Sequence, residues 1–280
     1  GHLLEIRPDH GLIWHYTSGN WSAFSKTEQP LLSLSMISSH AGWAVGYSGT
    51  LLRYDGKSWR SESSPTHTVL RAITALSEKD VWAVGFGSLI LHYNGTSWQQ
   101  LFSPVKADLR SIFMLSSNDG WIVGDDGVIL HYHDSAWQRV TSPTAEKLNR
   151  VTMLSANEGW AVGANGTILH YHAGIWDAVG FVNDDGVIDS RSATTNGGPA
   201  FYGIAMTSPG SGWIIGGASL LSYNREVWSS SQNTIQPPSS QEPVLYSLAM
   251  FSGHEGWAIG QVGNAILILH YLSKAWFIYA

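Results

Sequence analysis

The side chains best suited to chemistry in this 280-residue chain are its histidines, two arginines and one acidic loop. Histidine precedes a repeated tyrosine at His15, His92, His131, His170 and His270, with Arg53 and Ser222 in its place elsewhere. The pairs His131/His133 and His170/His172 have the His-x-His spacing that puts both rings on one face of a strand. Zinc requires three or four converging ligands, and these pairs fall in separate repeats, so packing is the role they suit. The acidic loop holds Asn183, Asp185, Gly186, Ile188 and Asp189, which match the middle of a calcium-binding loop. Phe181 stands at its first ligand position and Ser192 where a bidentate acid belongs, so a solvated acidic turn is expected. Asn183, Asp185 and Asp189 are the ligands if calcium binds there, and no other cofactor is implied. With no cysteine, the chain has no disulfides, thiol catalysis or Cys-based zinc site. Gly-rich phosphate loops, GxSxG elbows and HExxH helices are absent from the sequence, which names no catalytic residue.

What positions these residues is a repeat. GWAVG at 42–46 returns as VWAVG at 81, GWIVG at 120, GWAVG at 159, GWIIG at 212 and GWAIG at 256. Tyr followed five residues later by Trp occurs at Tyr16/Trp21, Tyr54/Trp59, Tyr93/Trp98, Tyr132/Trp137, Tyr171/Trp176, Tyr223/Trp228 and Tyr271/Trp276. The tryptophans Trp43, Trp82, Trp121 and Trp160 recur at a constant step, long enough for one blade of four short strands with tight turns. Within one unit, LRAITALS (70–77), DVWAVGFG (80–87), SLILHYN (88–94) and SWQQLF (97–102) read as strands A to D. They have period-two alternation and turn residues such as Asp55-Gly56 and Asn94-Gly95 between C and D.

The expected fold is therefore all-β, a single β-propeller domain over 1–280. Its full blades are expected at about 31–65, 70–104, 109–143, 148–180, 201–230 and 245–280, after a partial blade at 11–27. Seven blades with an incomplete first is the favoured count, and six blades with an appended hairpin the alternative. The recurring Trp rings suit blade-to-blade packing better than sugar or choline cages, because a repeat that cannot bury its own face must stack on its neighbours.

Composition narrows the function. A net charge of −6 and only 15 Lys plus Arg argue against nucleic acid as a partner, since that affinity comes from clustered cations. No stretch is apolar enough to span a bilayer as a helix, and the N-terminal residues lack the plan of a signal peptide. The Ser-, Gly- and Asn-rich, Lys-poor mix is that of exported bacterial proteins, so an extracytoplasmic (secreted, periplasmic or cell-surface) monomer is expected.

The pattern GWAVG, then ILHY, then a Gly-containing turn and Trp resembles the propellers of the photosystem II stability/assembly factor-like and BNR-repeat families. The resemblance covers about residues 11–280. YDGKSW (54–59) and YNGTSW (93–98) are one residue short of a true Asp box, so the repeat is of a degenerate type. Assembly-factor relatives imply a non-enzymatic protein that holds a partner polypeptide; sialidase relatives imply a glycosidase using an Arg triad, a Tyr nucleophile and an acid. No such set can be assembled here.

Strands that alternate up and down put the A–B and C–D turns on one face and the B–C and D–A loops on the other. Every change of length falls in a D–A connection (177–201 and 229–243) or a B–C connection (after Trp213 and Trp257). Loops on a rigid scaffold carry function, so the uneven face is the expected working face. The Ser-, Gln- and Pro-rich stretch 229–243 is expected to be mobile. The second position of strand A begins on that face and carries Leu32, Arg71, Arg110, Asn149, Tyr202 and Tyr246. Arg71, Arg110, Asn149, Tyr202 and Tyr246 would form a channel-mouth cradle for a carboxylate or peptide, given the planar fork of Arg. Pairing of both arginines with Asp125 and Asp126 is the competing reading. The expected function is non-catalytic binding of a protein, peptide or anionic segment. The alternatives are a glycan-binding lectin or sialidase-like hydrolase, and the sensor ectodomain of a bacterial receptor.

Overall fold

The computed structural model describes residues 11–182, 188–189, 198–224, 226–231 and 241–279. These residues divide into two compact units, one of residues 11–124 and 128–140, the other of residues 125–127 and 141 onward. The first holds a leading hairpin and blades 1 to 3, the second blades 4 to 6.

Each blade is an antiparallel sheet ordered A-B-C-D. Blade 2 runs through Leu70–Ser77, Asp80–Gly85, Ile90–Tyr93 and Trp98–Leu101, and blade 3 through Leu109–Ser116, Asp119–Gly124, Ile129–His133 and Ala136–Val140. Blade 1 begins with strands A and B at Leu31–Ser38 and Ala41–Gly46. In the second unit, strands A and B are Leu148–Ser155 and Glu158–Gly163 in blade 4, Gly203–Ser208 and Ser211–Gly216 in blade 5, and Val244–Ser252 and Glu255–Val262 in blade 6. Among the described residues the blades with all four strands thus number six, the alternative count. The stretch before them, Gly11–Thr17 and Asn20–Thr27, forms a two-stranded sheet with the C–D register, Tyr16 opposite Trp21. The favoured seventh blade goes no further than this hairpin among the described residues.

The repeat motif explains how blades stack. Strand B supplies a Trp, and the Tyr-x4-Trp of the next blade closes on it. The Trp43 ring lies 5.1 Å from Tyr93 and 5.4 Å, edge to face, from Trp98. Trp82 meets Tyr132 and Trp137 in the same way, Trp160 meets Tyr223 and Trp228, and Trp213 meets Tyr271 and Trp276. Edge-to-face aromatic pairs add about 0.5–1.5 kcal/mol each to the burial of large rings. The tryptophans Trp43, Trp82, Trp121 and Trp160 are almost wholly buried.

The glycine before most of these tryptophans has a steric reason. Gly120 pairs across the ladder with Met114, and a Cβ there would collide with the methionine sulfur. Gly42, Gly159, Gly212 and Gly256 face Met36, Met153, Met206 and Met250 alike. Blade 2 inverts the pair, with Ala75 opposite Val81, so the volume removed from strand A is restored on strand B.

One insertion has a fold of its own. Phe181–Val182 pairs parallel with strand D of blade 5 (Val227–Ser230) and antiparallel with Ile188–Asp189, widening that sheet to six strands. Within the 177–201 connection, expected to be a loop, these two short strands therefore extend the outer edge of the blade after it.

Candidate functional site

Hydrogen bonds within each unit bring B–C loops and D–A connections together. The Gly87 amide in the B–C loop of blade 2 donates to Asp108 Oδ1 at 2.8 Å, and the Ala107 amide donates to Ser88 Oγ. In blade 4, the Ala164 amide donates to the Lys147 carbonyl at 2.8 Å and Asn165 Nδ2 to Glu146 Oε2 at 2.9 Å. In blades 1 to 4 the B–C loops turn on two adjacent left-handed residues, such as Ser48-Gly49 in blade 1 and Asn165-Gly166 in blade 4. On the other face strand C of blade 1 meets the A–B turn of blade 2, where Arg53 reaches Glu78 at 3.0 Å.

At the candidate position the structure adds what the sequence did not show. The ladder pairs Leu70 with Gly85 and Ala72 with Val84, so Arg71 is the extra residue of a β-bulge. Leu32, Arg110, Asn149 and Tyr246 are skipped in the same way. Tyr202 stands just before its strand, its amide donating to the Ile215 carbonyl. The residue before each of the last five is fully buried: Leu70, Leu109, Leu148, Phe201 and Leu245. A bulge bends the strand and re-aims one side chain, so a buried anchor is followed directly by a side chain outside the ladder. The strict period-two pattern hides this, because the extra residue looks like one more alternating position.

The two units hold these residues separately. In the first, Arg71 and Arg110 occupy equivalent bulges on adjacent inner strands, and the Arg71 guanidinium lies over the Phe86 ring at 5.0 Å. In the second, Tyr202 and Tyr246 are exposed with ring centroids 6.0 Å apart. Burial holds the Tyr246 hydroxyl above the ordinary phenol range, and the neighbouring Tyr202 adds to the effect. Asn149 is already committed, its Nδ2 donating to the Phe201 carbonyl at 2.8 Å. It fixes the start of the neighbouring inner strand and is a weaker contact candidate than the tyrosines. Asn183 and Asp185 lie outside the described residues. Asp189 is placed on the short strand paired with Phe181. Most of the 229–243 stretch, from 232 to 240, also lies outside them.

The histidines have a structural assignment that sequence reading gave only in outline. His92, His131, His170 and His270 stack on Trp82, Trp121, Trp160 and Trp257 with centroids 4.0 Å apart. Each of the first three also meets an acid at the head of strand B: His92 with Asp80 at 2.9 Å, His131 with Asp119 at 2.9 Å, His170 with Glu158 at 2.7 Å. The signal was present as an acid twelve residues before each of these histidines. Asp80 also accepts from Trp82 Nε1 at 2.8 Å. Burial alone would raise the Asp80 pKa, but hydrogen bonds from Ser117, His92 and Trp82 outweigh it and hold the carboxyl below its ordinary value. His133 and His172 have their own carboxylates, Asp134 and Asp177.

The fold defines a β-propeller of four-stranded blades. Solved structures similar to the chain include YCF48 bound to D1 peptide, 21% identical over 96% of this chain and 98% of that one, with a TM-score of 0.53. YCF48 from Cyanidioschyzon merolae is 17% identical over 88% and 96%, with a TM-score of 0.50. The WD40 β-propeller domain of Doa1 is 12% identical over 94% and 87%, with a TM-score of 0.67. At these identities the likeness is one of fold. No family model matches the sequence, and no curated protein does.

Proposed function

We propose that this propeller is a non-catalytic binding module that holds a polypeptide with an anionic segment on the face formed by its B–C and D–A loops. The observation that carries the reading is the position directly after each buried anchor. There Tyr202 and Tyr246 are exposed side by side, and Arg71 and Arg110 occupy equivalent bulges on adjacent blades, while the residues before them are buried. Tyr and Arg are the residue types that dominate recognition surfaces, the ring giving rigid apolar area and the guanidinium a fork for carboxylates. That a structure of the same fold, YCF48, holds a D1 peptide supports a peptide as the class of ligand. The exported-type composition supports an extracytoplasmic site of action.

A phage-displayed peptide selection against the folded chain tests this. Acid-containing peptides are expected to be enriched, and their affinity to fall at least tenfold in both Arg71→Ala/Arg110→Ala and Tyr202→Ala/Tyr246→Ala. Selected peptides that bind both double variants like the parent would remove the reading. Saturable binding on a glycan array, with no peptide enriched, would favour the lectin alternative.

A further inference from the structure

One cation on the inner strands breaks the pattern of the repeat. The residue after the candidate position of strand A is Ser33, Ala72, Ser111, Gly203 or Ser247 in five blades and Arg150 in blade 4. Small side chains suit a place where neighbouring inner strands lie side by side. In blade 1 this residue also has a task, since Ser33 Oγ accepts from the Ile73 amide of the next inner strand at 3.3 Å. The registers of blades 4 and 5 correspond. Ser33 lies opposite Val45 as Arg150 lies opposite Val162, and Ile73 opposite Ala83 as Ile204 lies opposite Ile214. Where blade 1 offers its neighbour an acceptor, blade 4 therefore offers the strand of Ile204 a donor.

The Arg150 guanidinium has no partner among the described residues. The acids of blade 4 are engaged elsewhere: Glu146 with Asn165, Glu158 with His170 and Asp177 with His172. The Arg150 side chain is open to solvent, yet the protein packed around it holds the guanidinium below its ordinary pKa. Exposure and desolvation together describe a recess rather than a convex surface. In keeping with this, the inner strands of blades 4 and 5 are less closely apposed than those of blades 5 and 6. A desolvated cation without a counter-charge weakens a fold, and an incoming anion offsets that cost.

We propose that Arg150 anchors a carboxylate site on the inner strands of blades 4 and 5, the guanidinium holding both carboxylate oxygens and the Ile204 amide adding a donor. The planar fork of arginine meets a carboxylate in two parallel hydrogen bonds, which a phosphate or chloride does not match as closely in a narrow recess. The carboxylate arrives either on a small free acid or on an acidic side chain of a bound polypeptide. The second source rests on the peptide reading above, and the first does not.

Melting curves of the folded chain in glutarate, against sodium chloride and sodium phosphate at equal ionic strength, test the site. Glutarate should raise the melting temperature saturably, and equally in the parent and in Arg71→Ala/Arg110→Ala. Arg150→Ser, which installs the residue used in blade 1, should melt at or above the parent without ligand and gain nothing from glutarate. Arg150→Lys should keep a response with affinity lowered about tenfold. The peptides selected above then distinguish the sources. Their displacement by glutarate, with about tenfold weaker binding to Arg150→Ser, assigns the site to a side-chain carboxylate. Glutarate binding without such displacement assigns it to a small acid, and if no peptide is selected at all, the peptide reading falls while this site stands. The proposal is overturned if glutarate acts no better than chloride or phosphate, or if Arg150→Ser responds to it like the parent. It is equally overturned if Arg150→Ser melts below the parent without ligand, which would make the arginine a structural residue.

Discussion

Trp121 and His131 lie face to face, their ring centroids 4.0 Å apart and planes within 10°, with His131 Nε2 2.9 Å from Asp119 Oδ1. The imidazole is thus held between an indole and a carboxylate, and its neighbour His133, 5.0 Å away by centroids, faces Asp134. His131→Ala should therefore destabilise the protein by about 1–3 kcal/mol, from the lost stacking and the stranded carboxylate. Denaturant midpoints of variant and parent check this. Zinc should leave the parent midpoint unmoved, and a rise on adding zinc would revive the metal reading of the His-x-His pairs.

Asp80 gives the acid response a named contributor. Its carboxyl titrates below its ordinary value of 3.8 in the folded state, so its favourable contribution is complete above that pH. As pH falls through the lower folded value the proton is taken up and the contribution disappears. Asp80→Asn should lower stability at neutral pH and flatten the loss as the pH falls below Asp80's ordinary value of 3.8. Melting curves across that range give the comparison, and an unchanged slope would exclude Asp80 as a source.

The Met–Gly pair should behave as a coupled unit. Gly120→Val would drive a branched side chain into Met114 and cost about 1–3 kcal/mol. Adding Met114→Ala recreates the Ala75–Val81 arrangement of blade 2 and should recover most of that loss. A double-mutant cycle measures the coupling, which should exceed about 0.5 kcal/mol.

Ligand binding should divide into a salt-sensitive and a salt-insensitive part. If an acidic peptide meets Arg71 and Arg110, raising ionic strength should weaken it in the parent and in Tyr202→Ala/Tyr246→Ala. In Arg71→Ala/Arg110→Ala the remaining affinity should change little with salt. Titrations at two salt concentrations decide the matter.

Much of the fold is legible in the chain because one constraint is repeated. GWAVG and Tyr-x4-Trp recur at fixed spacing since each Trp must meet the next blade's pair of rings, and Trp43 with Tyr93 and Trp98 shows why neither can drift. The bulges are not legible: LRAITALS alternates like any strand, and only the ladder reveals that Arg71 has no place in it. Nor is the use of Phe181–Val182 and Ile188–Asp189 as two added strands, since a short strand on an outer edge leaves little trace in composition. The blade count stayed open because a hairpin with a strand C–D register fits either seven or six. Recognition is harder still to read, as the variable residues carry no repeat to compare.

The bulge at the head of the inner strands separates two kinds of inheritance. Leu70, Leu109, Leu148, Phe201 and Leu245 anchor the sheets, and a change at any of them is a change in folding. The adjoining position is skipped by the strand ladder and holds leucine in blade 1, arginine in blade 2, asparagine in blade 4 and tyrosine in blade 6. Descendants of such a protein can acquire new ligands one substitution at a time while the scaffold is conserved, and an engineer can treat those slots as a palette.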